Sequence, residues 1–422
     1  MFLAVSFASG SIESLLGEPL IEIRSQETVN GSGTTPGRPS HIIYLILDEY
    51  MGPAGFPESV RESRQAVRSI YDTFIPRGFT VYDSAFSHYD GTSNAMPSLL
   101  NLKLMEQSMV GHWEDRDQGS EFKVFGHFRE RGYKIHLYRA RRMSHFGPLP
   151  ETEQDVSYEE YRLGSAADLP LPLLDRLWLL TGTHAARNRP IHLVVKNIHP
   201  RHMNVVRVWW WQTVSLQVLD LLLQDILAAE HDTLFLVHLL APHFTHVYRA
   251  DGSIRPLSEI IELRDAEDTP PSDPNYPVRH ARYAEQVRYL NLQLGKFLDT
   301  LEQNHLLDSA TVVLHGDHGS RIVGRTENEG SFRQLLERFS SFLAVKKPDA
   351  RQGRTVPRKG SLLTFLQQEL YPELELPTAG LDYVYYPEGD RSFESIPLLQ
   401  RWTEHDHTGS SPSAGSSKPR SR

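Results

Sequence analysis

Four short stretches hold residues that could do chemistry together. Asp48 and Glu49 follow the apolar run His41–Leu47 (HIIYLIL). Two carboxylates at the end of a buried strand can bind a hard or borderline cation, although Asp equally serves as a helix N-cap. The second stretch is HGDHGSR, His315 to Arg321, directly after Ala310–Leu314 (ATVVL). Asp317 and His318 offer a carboxylate and an imidazole to a metal, and the flanking glycines would let the backbone turn sharply beside the ion. His315 reads as structural. The third is APHFTHVY after Thr233–Leu240. His243, near the strand end, is a candidate for the same cleft, whereas His246 reads as an ordinary surface histidine. The fourth is SHYDGTSNAMPSLLN, with Gly91, Thr92, Ser93 and Asn94 at a loop-to-helix junction and Ala95–Leu102 as the helix. A hydroxyl there sits among free backbone N–H groups at the positive end of the dipole, which favours an anionic substrate; a plain Thr or Ser N-cap is the alternative.

The elements that must position these residues are also written in the sequence. His41–Leu47, Lys134–Tyr138, Thr233–Leu240, Ala310–Leu314 and Ser341–Val345 are short β-branched and aliphatic runs, as expected of buried strands. Helical spacing marks Glu58–Phe74, Thr213–Ala229 and, most strongly, Arg279–Asn304, where Tyr283, Val287, Leu290, Leu294, Phe297 and Leu301 recur every three or four residues. Apolar strands alternating with helices predict an α/β fold with a mostly parallel central sheet covered by helices on both faces. In such sheets function gathers at the carboxyl ends of the strands, where three of the four stretches lie.

Composition narrows the function classes. With 44 basic and 53 acidic residues the formal charge is −9, which argues against a nucleic-acid partner. There is no cysteine, hence no disulfide, thiolate metal site or cysteine nucleophile. No run approaches the roughly 20 apolar residues of a membrane span. Residues 1–37 read as an N-terminal tail and linker, 38–403 as the folded body, and 404–422 as a disordered tail rich in Ser, Gly and Pro. Met1–Gly10 could be the stub of a signal or membrane segment, or a plain terminus. Arg139, Arg141 and Arg142 could dock an anionic head group or be a solvated cluster. Trp209, Trp210 and Trp211 could lie at a membrane interface but suit core or lid packing better.

The four stretches, in this order, resemble the sulfatase and alkaline phosphatase superfamily over roughly residues 40–347. They are most similar to its sulfatase-like hydrolase/transferase branch, which includes phosphoethanolamine and phosphoglycerol transferases of the bacterial envelope. YAEQVRYLNLQLGKFLDTLEQNHLLDSATVVLHGDHGSR, Tyr283–Arg321, carries the strongest likeness. The resemblance implies an alkaline-phosphatase-like three-layer sandwich. It implies Asp48, Asp317 and His318 as metal ligands and Thr92 as the metal-bound nucleophile, since Thr92 stands five residues before Pro97 as the transferase threonine does before its proline. His243 would contact the transferred or leaving group.

The departures are informative. Sulfatases read Cys (or Ser)-x-Pro-Ser-Arg, with the first residue converted to formylglycine. Here the string is Ala95-Met96-Pro97-Ser98-Leu99, so no formylglycine can form. The second aspartate after the first strand is Glu49, whose role the resemblance leaves open.

The expectation is therefore a metal-dependent hydrolase or transferase of phosphate or sulfate esters working through a phospho-threonine. Its one divalent ion would be Zn or Mn rather than Mg or Ca. Its substrate could be a lipid head group or glycan in the cell envelope, with the chain periplasmic or anchored at the inner membrane. Two alternatives stand beside it: a sulfatase or phosphodiesterase using metal-activated water, and a catalytically silent scaffold or binding domain that keeps the fold.

Overall fold

The computed structural model describes residues 40–110, 122–139, 154–157, 212, 216–256, 259, 273–323, 332–377, 379–388 and 391–408. The expectations for residues 1–37, for Arg141 and Arg142, for Trp209 to Trp211 and for the end of the C-terminal tail lie outside these residues.

An eight-stranded sheet forms the middle layer, in the order β4-β3-β5-β1-β6-β7-β2-β8. Its members are β1 (Ile42–Leu47), β2 (Thr80–Phe86), β3 (Lys134–Arg139), β4 (Gln154–Ser157), β5 (Thr233–Leu239), β6 (Thr311–Gly316), β7 (Leu343–Lys346) and β8 (Arg354–Ser361). The sheet is mostly parallel, as expected. β1 lies between β5 and β6, parallel to both, and only β7 runs antiparallel to its neighbours β6 and β2.

The helices are α1 (Arg61–Phe74), α2 (Thr92–Asn101), α3 (Lys123–Glu130), α4 (residues 216–228), α5 (Tyr276–Gln303), α6 (Phe332–Phe339), α7 (Leu362–Leu370) and α8 (Leu398–Thr408). The last of these carries the folded body past residue 403, where the sequence suggested a disordered tail.

The two-sided burial of β1 makes the three layers visible. Ile43, Leu45 and Leu47 enter one core with α1, α4 and α5. Ile42, Tyr44 and Ile46 enter the other with α2, α3 and α7. Strand side chains alternate faces, so one apolar run serves both cores, each buried aliphatic side chain contributing about 1.5–3 kcal/mol. A third, smaller core gathers α6 and α8 around a hairpin of β9 (Val384–Pro387) and β10 (Phe393–Ile396). The described residues form a three-layer α/β sandwich, a mostly parallel sheet with helices on both faces.

Strands β2 and β8 were not legible as strands. β2 (TVYDSAF) carries Asp83 and Ser84 at an irregularity in its register with β8. β8 (RTVPRKGS) is a largely exposed edge strand with a proline and three basic residues, devices that blunt an edge and hide the apolar pattern.

Candidate active site at the carboxyl ends of three strands

Register brings the two outermost acidic groups together. Leu47 stands opposite Gly316, so the next residues along the parallel strands, Asp48 and Asp317, leave the sheet side by side. Asp48 N–H donates to Leu239 O at 2.9 Å, tying the third strand end to the same level. Asp317 Oδ1 accepts the backbone N–H groups of Glu49 at 3.0 Å and of His318 at 2.9 Å. The glycines flanking Asp317 and His318 do not sit in the left-handed region that a sharp turn would require. They are small because backbone approaches them: a Cβ on Gly316 would lie 2.2 Å from Tyr50 O, and one on Gly319 2.3 Å from Glu337 O.

Asp48, Asp317 and His318 are buried, and one ligand atom from each lies within 4.8 Å of the others. His318 Nε2 is 3.7 Å from Asp48 Oδ1 and 3.5 Å from Asp317 Oδ2. Its Nδ1 is 2.7 Å from Gly319 O. That bond fixes the tautomer with the proton on Nδ1 and leaves the Nε2 lone pair facing the carboxylates, the usual arrangement behind a metal-binding histidine.

Helix α2 supplies the hydroxyl. It begins at Thr92 with Gly91 as N-cap, three residues earlier than the sequence suggested, and no side chain caps it. Thr92 is thus the first helical residue rather than a cap. Its Oγ1 donates to Asp48 Oδ1 at 3.3 Å and lies 3.4 Å from His318 Nε2.

Asp48, Asp317 and His318 fit a divalent ion, with the Thr92 hydroxyl beside them. Bonds of about 2.0–2.1 Å to a tetrahedral ion place adjacent ligand atoms about 3.4 Å apart, close to the 3.7 Å and 3.5 Å that separate His318 Nε2 from the two carboxylates. Asp317 Oδ2 is buried without a hydrogen-bond partner. Burial, then the charge of Asp317, pushes Asp48 well above the usual carboxylate range. Burial would raise Asp317 too, but the neighbouring imidazoles of His318 and His238 outweigh it and hold it low. Two facing carboxylates of this kind need a proton or a cation between them. Burial keeps His318 below its ordinary value, in the neutral form that ligates.

His243 reaches this centre through Glu49. Its Nε2 is 3.5 Å from Glu49 Oε1, and Glu49 Oε2 accepts the N–H of Phe244 at 3.1 Å. Burial works against a charged imidazole here, but Glu49 and Asp48 outweigh it and raise the His243 pKa.

The loop that carries His243 hangs on a buried amide of α5. Gln286 Nε2 donates to Pro242 O at 3.1 Å and to Gln212 Oε1 at 3.2 Å, while Gln286 Oε1 accepts Tyr248 N–H at 3.1 Å. Tyr283, one turn away, donates its hydroxyl to Glu49 O at 2.7 Å and accepts Met51 N–H at 2.8 Å. Both residues were invisible as functional; the one signal was an amide inside an apolar helical stripe.

His246 is buried rather than on the surface. It packs against the Tyr283 ring at 5.3 Å, and burial with nearby Arg279 and Arg255 holds it well below its ordinary pKa. His315 is a core residue, 3.0 Å from the Tyr44 hydroxyl.

Among solved structures, the chain is similar to the C-terminal periplasmic domain of EptC from Escherichia coli in complex with Zn. Identity is 12%, 86% of this chain and 93% of that chain are covered, and the TM-score is 0.51. A second structure of that domain gives 12% identity, 85% and 92% coverage and a TM-score of 0.50. At such identities the likeness is one of fold. None of the curated proteins compared matches the chain by sequence. A family model described as Sulfatase matches residues 41–339, a span that takes in the ends of β1, β5 and β6 and the start of α2. By that match, over most of its length, the chain belongs to the sulfatase family.

Proposed function

We propose that the chain is a metal-dependent hydrolase or transferase of phosphate or sulfate esters with Thr92 as its nucleophile. The observation that carries this reading is the Thr92 hydroxyl at 3.3 Å and 3.4 Å from two groups of a buried, metal-fitting cluster. Asp48, Asp317 and His318 would hold one divalent ion, Zn or Mn, whose Lewis acidity acidifies a neighbouring hydroxyl and offsets charge on ester oxygens.

The residues supply the rest. Thr92 Oγ1 attacks phosphorus (or sulfur), forming a new O–P bond as the bond to the leaving alcohol breaks. The hydroxyl proton leaves along the contact to Asp48 Oδ1. His243, whose pKa the Glu49 carboxylate raises against the effect of burial, gives its Nε2 proton to the leaving oxygen. The N-terminus of α2 favours the anionic group at Thr92. Water or an acceptor hydroxyl then attacks the phosphorus (or sulfur), giving its proton to His243 Nε2, as the bond to Thr92 Oγ1 breaks and Thr92 takes back the proton held at Asp48.

A lipid head group or glycan ester of the cell envelope is the substrate class proposed with it. The likeness in fold to a periplasmic domain supports a periplasmic or membrane-anchored setting. Among the described residues no helix is long and apolar enough to cross a membrane.

The test is to incubate the metal-loaded protein with p-nitrophenyl phosphate, bis-(p-nitrophenyl) phosphate and p-nitrophenyl sulfate, quench in acid and map the peptide containing Thr92. A phosphate or sulfate adduct on Thr92, absent from Thr92→Ala together with turnover, is expected. Turnover retained by Thr92→Ala would move the nucleophile to Ser93 or remove the covalent step.

A further inference from the structure

Arg321 closes the HGDHGSR stretch and has no part in the chemistry above. Its Nε donates to Asp90 O at 3.2 Å and lies 3.7 Å from Glu49 Oε1. Its Nη2 rests against Gly91: a Cβ there would sit 2.7 Å from it. Gly91 has φ −159°, an extended conformation open to any residue, so its backbone does not call for glycine. The missing side chain is the room that the guanidinium occupies, beside the residue that precedes Thr92. Arg321 is 48% exposed, and among the described residues its Nη nitrogens make no hydrogen bond.

Glu49 links this cation to His243. Its backbone has φ 61°, a left-handed conformation uncommon for a residue with a side chain. Its carboxylate meets His243 Nε2 at 3.5 Å and Arg321 Nε at 3.7 Å, and it is no member of the cluster formed by its neighbour Asp48 with Asp317 and His318. One buried carboxylate therefore faces an imidazole and a guanidinium that arrive from two different strand ends.

We propose that Arg321 is a second contact for the non-bridging oxygens of the transferred group, and that Glu49 is the positioning residue that aims Arg321 and His243 rather than a metal ligand. The inference rests on the phosphate- or sulfate-ester reading. Arg321 keeps its charge at any working pH, and its planar donors suit tetrahedral oxyanions.

The experiment measures binding of inorganic phosphate and sulfate to the zinc- or manganese-loaded full chain by calorimetry, alongside metal content and ester kinetics. Arg321→Gln is expected to weaken phosphate about tenfold to a hundredfold, raise KM more than it lowers kcat, and leave the metal in place. Arg321→Lys should recover only part of the loss. Glu49→Gln should weaken phosphate, keep the metal, and add little to Arg321→Gln in the double variant. Gly91→Ala, which leaves every charge in place but fills the guanidinium's space, should weaken phosphate as well. Unchanged phosphate affinity in Arg321→Gln would overturn the contact, and loss of metal in Glu49→Gln would make Glu49 a ligand and overturn its positioning role. If the wild type forms the Thr92 adduct while Arg321→Gln binds phosphate normally, only this inference falls. If the loaded wild type neither binds phosphate nor forms the adduct, the functional reading falls with it.

Discussion

Asp317 fastens the turn after β1 with one oxygen and leaves the other uncommitted. Its Oδ1 accepts the Glu49 N–H at 3.0 Å, while its buried Oδ2, 3.5 Å from His318 Nε2, has no hydrogen-bond partner. The division predicts how a minimal change should behave. Asn at 317 can keep the acceptor for Glu49 and His318 but places an N–H donor where Oδ2 was. Asp317→Asn should therefore fold and lose metal affinity by more than about a hundredfold. Elemental analysis of the purified protein beside a circular-dichroism melt checks both halves. A variant that retains a full equivalent of metal would remove Asp317 from the ligand set.

Metal binding should strengthen with pH. In the cation-free protein, burial and the Asp317 charge hold Asp48 well above the carboxylate range. The folded site thus keeps a proton that the unfolded chain releases near pH 4. That stabilisation is complete below about pH 4 and is lost as the pH rises through the raised folded value. A divalent ion takes the proton's place, so its binding releases about one proton. Manganese should raise Tm more at about pH 8 than at about pH 5.5. Calorimetry in two buffers of different ionisation heat should report the released proton. A pH-independent increment with no proton release would count against Asp48 as a ligand.

The centre of the fold was legible and its rim was not, for one physical reason. β1, β5 and β6 are buried on both faces, so each is a continuous apolar run, and the residues just past them stand out. Asp48, Asp317 and His318 were readable in this way, and Thr92 through the order of the stretches. Glu49 was noticed but not its direction, because that depends on a left-handed φ that no spacing encodes. Arg321, Gln286 and the Asp90–Arg338 pair act through partners far away in the chain, so only the folded loops show them. His246 was misplaced because a polar residue after a strand looks exposed until Tyr283 and Phe244 are seen packed on it.

Acid should destabilise the protein steeply. His88, His238 and His315 are fully buried, and burial brings each down to about 4. A lowered histidine pKa leaves stability intact above the unfolded value of about 6.5 and removes it as the pH falls toward the folded value. Unfolding would then take up as many as three protons, a slope of up to about 4 kcal/mol per pH unit. Urea titrations between about pH 7 and pH 4.5 give this slope directly. A flat profile across that interval would mean that these imidazoles are solvated in the folded state.

The pair Asp90–Arg338 should matter more for stability than any surface ion pair. Arg338 Nη2 donates to Asp90 Oδ2 at 2.5 Å, Nη1 donates to Val323 O at 2.8 Å, and both side chains are nearly buried. The pair joins α6 to the residue just before Gly91, and Gly319 N–H is bonded to Arg338 O at 2.9 Å, so the Thr92 helix and the Asp317–His318 loop share one anchor. Removing one partner strands a buried charge, so Arg338→Met should cost about 3–5 kcal/mol in urea unfolding. The double variant Asp90→Asn with Arg338→Met leaves no unpaired charge and should regain part of the loss. Its kcat should stay low even where stability returns, because Thr92 is then held less firmly against Asp48 and His318. If Arg338→Met unfolds like the wild type, the pair is solvated and the anchor lies elsewhere. If the double variant regains kcat together with stability, the pair serves the fold alone.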